Sequence, residues 1–167
     1  PLNVGTGELD VQLGDIFPGH FAMVAQKHRE AYGTSLVQMA KVSVKNHANG
    51  CLNPYAEFKK PVTVDQVLGS MPIADPLTLL GCCPNSDGAA AVLLCSADAL
   101  KHTNGQPRVR VVASALTSGA YDTLRDITFW DAEERTARLA YEMAGMGPQD
   151  LSVVELHDAF TICEIVH

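Results

Sequence analysis

The sequence predicts a layered α/β fold with a mainly helical and loop sub-domain on its N-terminal side. Beyond residue 86, apolar runs of strand length alternate with helical patterns, and this alternation is typical of a sheet covered by helices. Residues 1–75 contain helical and loop patterns without an evident strand. Apolar residues make up 47% of the 167 residues, which is enough to build a hydrophobic core.

Helical periodicity and end signals predict two consecutive long helices in the N-terminal part of the chain. The first covers residues 21–32 and ends at Gly33, because glycine readily adopts the left-handed conformation of a helix end. The second covers about residues 36–47, with Thr34 or Ser35 as its N-terminal cap. Other helices are predicted at residues 64–68, 97–102 and 131–146 and from residue 160 onward, and residues 1–18 are predicted to be loop.

Three apolar segments predict strands, at residues 89–95, 108–115 and 151–156. The first is apolar throughout and follows an Asp87-Gly88 turn, so it is predicted to be buried on both faces. An isolated chain that exposes this strand is expected to aggregate unless other polypeptide covers it.

Composition and charge exclude several classes of function. The net charge is −7, which argues against nucleic acid as a partner, although a local basic patch could hold a nucleotide-bearing cofactor. The five cysteines are odd in number and include the adjacent pair Cys82 and Cys83, a pattern that favours reduced thiols in a cytosol-like compartment. The sequence contains no metal-ligand spacing and no apolar segment of membrane-spanning length.

The strongest candidate for chemistry is the junction where the strand predicted at residues 151–156 meets His157 and Asp158. Ligands of α/β sheets bind beyond the carboxyl ends of strands, and histidine exchanges protons near neutral pH. The start of the following helix would add backbone N–H groups for an oxyanion. The alternative is that Asp158 only caps this helix and His157 is an ordinary polar residue. Both interpretations stay open on physical grounds.

The segment His157-Asp158-Ala159-Phe160 resembles an element of the thiolase superfamily. Classical thiolases carry Asn-Glu-Ala-Phe at this strand–helix junction. Thiolases of the sterol-carrier-protein group, and related prokaryotic ones, carry His-Asp-x-Phe, so this group is the closer match. The resemblance implies that His157 takes the place of the catalytic-site Asn and acts at the oxyanion hole for the thioester oxygen.

A second segment, residues 82–91 with the sequence CCPNSDGAAA, is similar to a stretch that leads from the thiolase loop domain into a core strand. Its start lies beside the bound pantetheine in that family, which implies that Cys83 and Ser86 lie near the coenzyme A substrate. Considered without the resemblance, residues 86–88 are a tight turn before a buried strand, and Cys83 is equally well a core residue. Nothing in the sequence around Cys83 predicts a reactive thiolate.

A third segment, His20-Phe21-Ala22-Met23, lies where classical thiolases have a His-Met-Gly-Met stretch near the acyl group. The resemblance would make Phe21 a wall of the acyl pocket, whereas the helical pattern alone would make it a core residue. Loop-domain similarity also extends over residues 32–34, 45–47, 53–55, 61–68 and 73–77.

The ordered set of matches runs from residue 19 to residue 165 and implies a thiolase-like layered αβαβα fold that is incomplete in this sequence. It assigns residues 1–86 to the loop domain, with the end of the N-terminal half at residues 1–12. Residues 87–104 would be the last strand and helix of the N-terminal half, and residues 105–167 the start of the C-terminal half.

The resemblance implies an acyl-CoA C-acetyltransferase activity in lipid metabolism, by Claisen condensation or by thiolysis of 3-ketoacyl-CoA through a cysteine thioester. The CoA thioester is the substrate, and neither a covalently bound cofactor nor a metal is required. Asp158 or Glu155 is inferred to orient His157. The resemblance further implies a homodimer or homotetramer, in some relatives a small zinc-containing partner protein, and a cytoplasmic location (peroxisomal in a eukaryote).

Three other elements of the family's chemistry are missing from this sequence: the nucleophilic Cys segment, the Gly-His-Pro segment and the Cys-x-Gly segment. The sequence is therefore interpreted as an internal part of a longer enzyme, and the 167-residue chain alone is expected to be inactive. Two alternatives stay open. One is a thiolase-fold retro-aldolase that acts on steroid side-chain CoA thioesters without a nucleophilic Cys. The other is a non-catalytic thiolase-like subunit that binds a partner.

Overall fold

The structure, a computed structural model, describes residues 16–102, 109–119 and 126–167 of the chain. Within this part of the chain, five α-helices and two short strands are joined by loops and 3-10 turns. In chain order they are α1 (Phe17–Tyr32), α2 (Leu36–Leu52), α3 (Val64–Leu68), β1 (Pro72–Ala74), β2 (Leu77–Thr78), 3-10 turns at Leu79–Gly81 and Ala99–His102, α4 (Asp131–Ala144), a 3-10 turn at Pro148–Asp150, and α5 (Thr161–Val166).

The described residues divide into two compact units that interleave along the chain. The first contains residues 16–84, 126–130 and 153–167, and the second contains residues 85–102, 109–119 and 131–152. The domain limits drawn from the sequence at residues 86 and 104 stay a prediction.

The two long N-terminal helices are present, and their shared boundary follows the predicted end signals. Gly33 ends α1 with φ 72°, and its N–H donates to the carbonyl of Arg29 at 2.9 Å. Ser35 is the cap of α2, because its hydroxyl accepts from the N–H of Gln38 while the Gln38 side chain accepts from the N–H of Ser35. Helix α1 begins at Phe17 rather than at residue 21, with Pro18 in its first turn, where a missing N–H costs nothing.

The structure follows the other helix predictions to different degrees. Helix α3 has the predicted bounds, and Thr63 and Gln66 form its capping box. Helix α4 ends at Ala144, before Gly145 with φ 65°, so the end predicted at residue 146 lies slightly too far along the chain. The helix predicted at residues 97–102 is a 3-10 turn. Of the loop predicted at residues 1–18, residues 1–15 lie outside the described residues and Phe17 already belongs to α1.

The strand predictions are wrong in the part of the chain that the structure describes. Residues 89–95, 109–115 and 151–156 form no strand, and the two strands present, β1 and β2, pair antiparallel where no strand was predicted. An apolar run predicts burial on a sheet only if neighbouring strands satisfy its N–H and C=O groups. Among the described residues no neighbouring strand does so, and Leu93 is 91% exposed. Strand β1 has three residues, too few to show an alternating pattern.

The hydrophobic core of the first unit lies where α1, α2, β2 and α5 meet. Val24 of α1 and Ile162 of α5 are fully buried, and each such side chain contributes about 1.5–3 kcal/mol relative to exposure. Phe21 and Trp130 are half-buried and pack against this core. The core residues are Ala22, Val24, Ala25, Met39, Leu77, Phe160, Ile162 and Cys163.

The second unit carries exposed apolar surface. None of the residues of α4 is buried, and Val92, Leu93 and Leu94 are more than three-quarters exposed. In the described part of the chain, no helix is both long and apolar enough to cross a lipid bilayer.

Candidate functional site

The structure brings together two segments that the sequence analysis had singled out separately. Cys82 and Phe160 form an isolated antiparallel bridge, and the N–H of Cys83 donates to the carbonyl of Ala159 at 2.8 Å. Cys82 and Cys83 therefore lie beside the residues that directly follow His157 and Asp158.

A cleft of about 550 Å³ opens next to this bridge, within the first compact unit. Its lining comes from α2 at residues 43–50, from residues 56–58, from residues 80–84 and from residues 154–164. We call it the α2 cleft. Its charged side chains are mostly acidic. The lining contains one lysine, Lys45, and four carboxylates, Glu57, Glu155, Asp158 and Glu164.

Helix α2 presents a polar face to this cleft and is anchored by its buried neighbours. Ser43 is buried, and its hydroxyl donates to the carbonyl of Leu80 at 2.5 Å. The side-chain amide of Asn46 donates to the Asp158 carboxylate and, at 3.2 Å, to Glu164. Lys45 forms an ion pair with the other oxygen of Glu164. Polar side chains of α2 thus hold both the His157 turn and α5.

The electrostatic environment raises the pKa of Asp158 above its usual value. Partial burial is the largest cause, and the nearby negative charge of Glu164 adds to it. The backbone N–H of Asp158 and the positive charges of Lys45 and His157 lower the pKa and offset part of this effect. Asp158 is therefore easier to protonate in the folded protein than in the unfolded chain.

This raised pKa predicts that Asp158→Asn stabilises the protein at neutral pH. The stability that the wild-type group contributes is fully present below the ordinary pKa of 3.8 and is lost as the pH rises through the higher folded-state pKa. Asparagine can still accept from Asn46 but carries no proton to lose. Melting temperatures should be measured from below the ordinary pKa of 3.8 up to neutral pH. The melting temperature of the variant, relative to that of the wild type, should increase as the pH rises.

The matched control is Asp87→Asn, which removes the same charge from an exposed side chain. Its melting-temperature difference from the wild type is expected to be small across the same range. A difference for Asp158→Asn that does not change with pH would contradict the assignment.

The two adjacent cysteines differ in their surroundings. Burial and the proximity of Cys83 raise the pKa of the Cys82 thiol to about 11, and its Sγ donates to the carbonyl of Thr78 at 3.4 Å. Cys82 is therefore a protonated, unreactive thiol at neutral pH. Cys83 is exposed and lines the α2 cleft, where a ligand can reach it.

His157 is exposed on the turn that precedes α5. Among the described residues, no hydrogen bond joins its ring to Asp158 or Glu155, the two side chains inferred from the sequence to orient it. Asp158 accepts from Asn46 instead, and Glu155 is an exposed residue of the cleft lining. The orienting role of both acidic residues stays a prediction.

Phe21 lies in an aromatic cluster rather than on the α2 cleft. Its ring stacks on Phe160 with centroids 4.6 Å apart and meets the edge of Trp130 at 6.4 Å. It supports the segment that follows His157, and its role as an acyl-pocket wall stays a prediction. Ser86 is exposed in the second unit, and its predicted contact with coenzyme A is likewise untested.

Comparisons with known proteins show the family of the chain. A model of the "Thiolase C-terminal domain-like" family matches residues 113–167. The acetyl-CoA acetyltransferase of Methanothermobacter thermautotrophicus is 49% identical over 157 residues, which are 93% of this chain and 41% of that protein. The benzoylsuccinyl-CoA thiolase subunit BbsB of Thauera aromatica is 40% identical over 161 residues, which are 96% of this chain and 42% of that protein. The chain belongs to the thiolase superfamily.

One further relative and one solved structure bear on the fold and on the length of the chain. Sterol carrier protein 2 of Gallus gallus is 37% identical over 99% of this chain and 31% of its own length. A solved structure, the Ltp2-ChsH2(DUF35) aldolase, superposes with a TM-score of 0.73 at 24% identity, over 85% of this chain and 39% of the other. The thiolase-like fold class is confirmed. The chain spans about two-fifths or less of the length of these relatives.

The sequence did not point to three polar residues that line the α2 cleft: Lys45, Asn46 and Glu164. In the sequence, Lys45 and Asn46 belong only to the loop-domain similarity, and no motif includes Glu164. The available signal was a run of polar residues within an amphipathic helix, which predicts an exposed face as readily as a site. In the described residues, no group of three His, Cys, Asp or Glu is placed to hold a metal ion.

Proposed function

We propose that this chain contributes part of the active site of an enzyme that transfers acyl groups between CoA thioesters, by thiolysis of 3-ketoacyl-CoA or the reverse Claisen condensation. One observation carries the proposal. The Cys82–Phe160 bridge and the hydrogen bond from Cys83 to Ala159 join the start of the segment proposed to lie beside pantetheine to the residues that follow His157. The relatives named as an acetyl-CoA acetyltransferase and as a thiolase subunit support it.

In thiolysis, an enzyme cysteine thiolate attacks the 3-keto carbon of the substrate, and the bond between C2 and C3 breaks. The electron pair of that bond leaves as the enolate of acetyl-CoA, whose thioester oxygen carries the negative charge until C2 is protonated. The thiolate of a second CoA then attacks the acyl-cysteine and releases acyl-CoA and the enzyme thiolate. In this scheme His157 donates an N–H to the enolate oxygen, a contribution of about 2.7–4 kcal/mol for one donor.

The charge and size of the α2 cleft suit one part of such a substrate. Its volume of about 550 Å³ lies within the range of small-molecule sites. Its lining includes four carboxylates, which would repel the phosphates of coenzyme A. The uncharged pantetheine arm, with amide groups that pair with polar side chains, fits this lining better. We therefore place pantetheine, and not the nucleotide, beside Cys83.

Assembly and location are proposed on the family membership alone. Self-association as a dimer or tetramer, a small zinc-containing partner and a cytoplasmic or peroxisomal site of action belong to this proposal.

The test is the cleavage of acetoacetyl-CoA by the native protein in the presence of free CoA, with acetyl-CoA measured as the product. Turnover is expected from the native protein and not from the 167-residue chain alone. Release of a ketone from a steroid side-chain thioester without thiolysis would replace the proposal by a retro-aldolase. Binding of CoA without turnover of either substrate would leave a binding subunit.

A further inference from the structure

We propose that Asn46 is a positioning residue of this active site: its side-chain amide links Asp158 to Glu164 and thereby fixes the turn that carries His157. The inference rests on the proposed function, since it assigns a part in that reaction to a residue outside the family motifs.

Asn46 projects from a well-anchored part of the molecule. Helix α2 is capped at Ser35, and Val42 and Ser43 bury its face one turn before Asn46. The hydrogen bond from Ser43 to Leu80 holds the helix against the segment that continues to Cys82 and Cys83. The amide therefore has a defined origin, and a side chain held in this way can position a partner.

The contacts of Asn46 require an amide with two N–H groups. Its Nδ2 donates to Asp158 and, at 3.2 Å, to Glu164, whose positions lie 112 and 118 residues away in the chain. Two carboxylates this close repel each other unless a donor lies between them. Lys45 occupies the remaining oxygen of Glu164. An ordered series from Lys45 through Glu164 and Asn46 to Asp158 thus lines the α2 cleft.

The link to His157 is through the backbone. Asp158 is the next residue, and the turn is held again two residues later by the bridge between Phe160 and Cys82. The ring of His157 makes no hydrogen bond among the described residues, so its place is determined by these two attachments of its own chain. Loss of the attachment at Asp158 would let the imidazole drift from the position in which it faces the reacting oxygen.

The decisive variant is Asn46→Asp in the native protein, because it keeps the size of the side chain and replaces the donating amide by a third carboxylate. A displacement of about 1 Å costs about a hundredfold in rate, so kcat for thiolysis is expected to fall by about 10–100-fold while KM changes little. The double variant Asn46→Asp with Asp158→Asn exchanges the two groups, so that an amide at position 158 donates to a carboxylate at position 46 while Lys45 keeps its ion pair with Glu164. It is expected to recover kcat to within about tenfold of the wild type.

The matched control is Ala48→Asp, which adds the same charge to an exposed position of the same helix. Its kcat should stay close to that of the wild type. Melting temperatures show whether each variant is folded. Unchanged kcat in a folded Asn46→Asp protein, or a loss of kcat that the double variant does not recover, would overturn the proposal.

A second measurement separates this inference from the proposed function. The ring C–H resonances of His157 report its surroundings by NMR whether or not the protein turns over acetoacetyl-CoA. They are expected to shift and broaden in Asn46→Asp and to stay unchanged in Ala48→Asp. An inactive native protein with this NMR response would refute the acyl-transfer proposal alone, whereas an active protein with unchanged resonances would refute the role of Asn46 alone.

Discussion

Replacement of His157 by alanine in the native protein is expected to lower kcat for thiolysis of acetoacetyl-CoA by about 10²–10³-fold, with little change in KM. The ring of His157 is exposed, so its removal opens no cavity, and in the proposed mechanism it takes away a donor to the enolate oxygen. The charge on that oxygen exists only after the C2–C3 bond has begun to break. The interaction is therefore stronger in the transition state than in the ground state, and its loss appears in kcat.

Two further variants make the His157 experiment specific. His157→Asn keeps a side-chain N–H donor and should retain more activity than His157→Ala. His28→Ala removes a histidine of α1 whose ring pairs with the Thr34 hydroxyl at 2.8 Å, and it should leave kcat nearly unchanged. Equal activity of the wild type and His157→Ala, with both proteins folded, would show that this imidazole is not part of the reaction.

Phe160→Ala is expected to lower the free energy of unfolding by about 3–5 kcal/mol, the cost of removing a buried aromatic ring. Phe160 is 6% exposed, belongs to the core and stacks on Phe21. It is also the residue that pairs with Cys82, so the cavity would open beside the bridge that joins the two motifs. Urea denaturation of the native protein measures the change.

The control for Phe160 is the same substitution at Phe129, which lies in the same compact unit and is 55% exposed. Phe129→Ala is expected to cost much less than the core variant, because most of the ring already contacts water. If both variants lose similar stability, then Phe160 does not contribute to the core as described.

The helices illustrate what local sequence can predict. The left-handed conformation at Gly33 and the capping boxes that begin at Ser35 and Thr63 involve residues no more than a few positions apart. All the residues that form such a helix end therefore lie within one short stretch of sequence, where a pattern can identify them. The observed helix ends at Phe17 and Ala144 differ by a few residues from the predicted ones, because a helix can end at several neighbouring positions with similar free energies.

The strands illustrate the opposite case. Residues 89–95 have the composition of a buried strand, yet they are exposed, and no segment of the described part of the chain pairs with them as a strand. A strand makes its hydrogen bonds with other segments of the chain. An apolar run therefore determines only a tendency to form a strand, and the partner decides whether the strand forms. The bridge between Cys82 and Phe160 formed at a place with no strand pattern, because packing of α5 against α1 and α2 brought the two backbones together.

The amino-acid sequence alone was sufficient to place this chain in the thiolase superfamily and to single out His157 and Cys83, because those inferences depend on short ordered motifs. Only the tertiary structure decided that the two motifs lie side by side, that Cys82 is an unreactive thiol, and that Asn46 joins Asp158 to Glu164. The physical reason is that desolvation and hydrogen bonds between distant segments arise only when the chain has packed, whereas caps and turns are made by neighbours in the sequence.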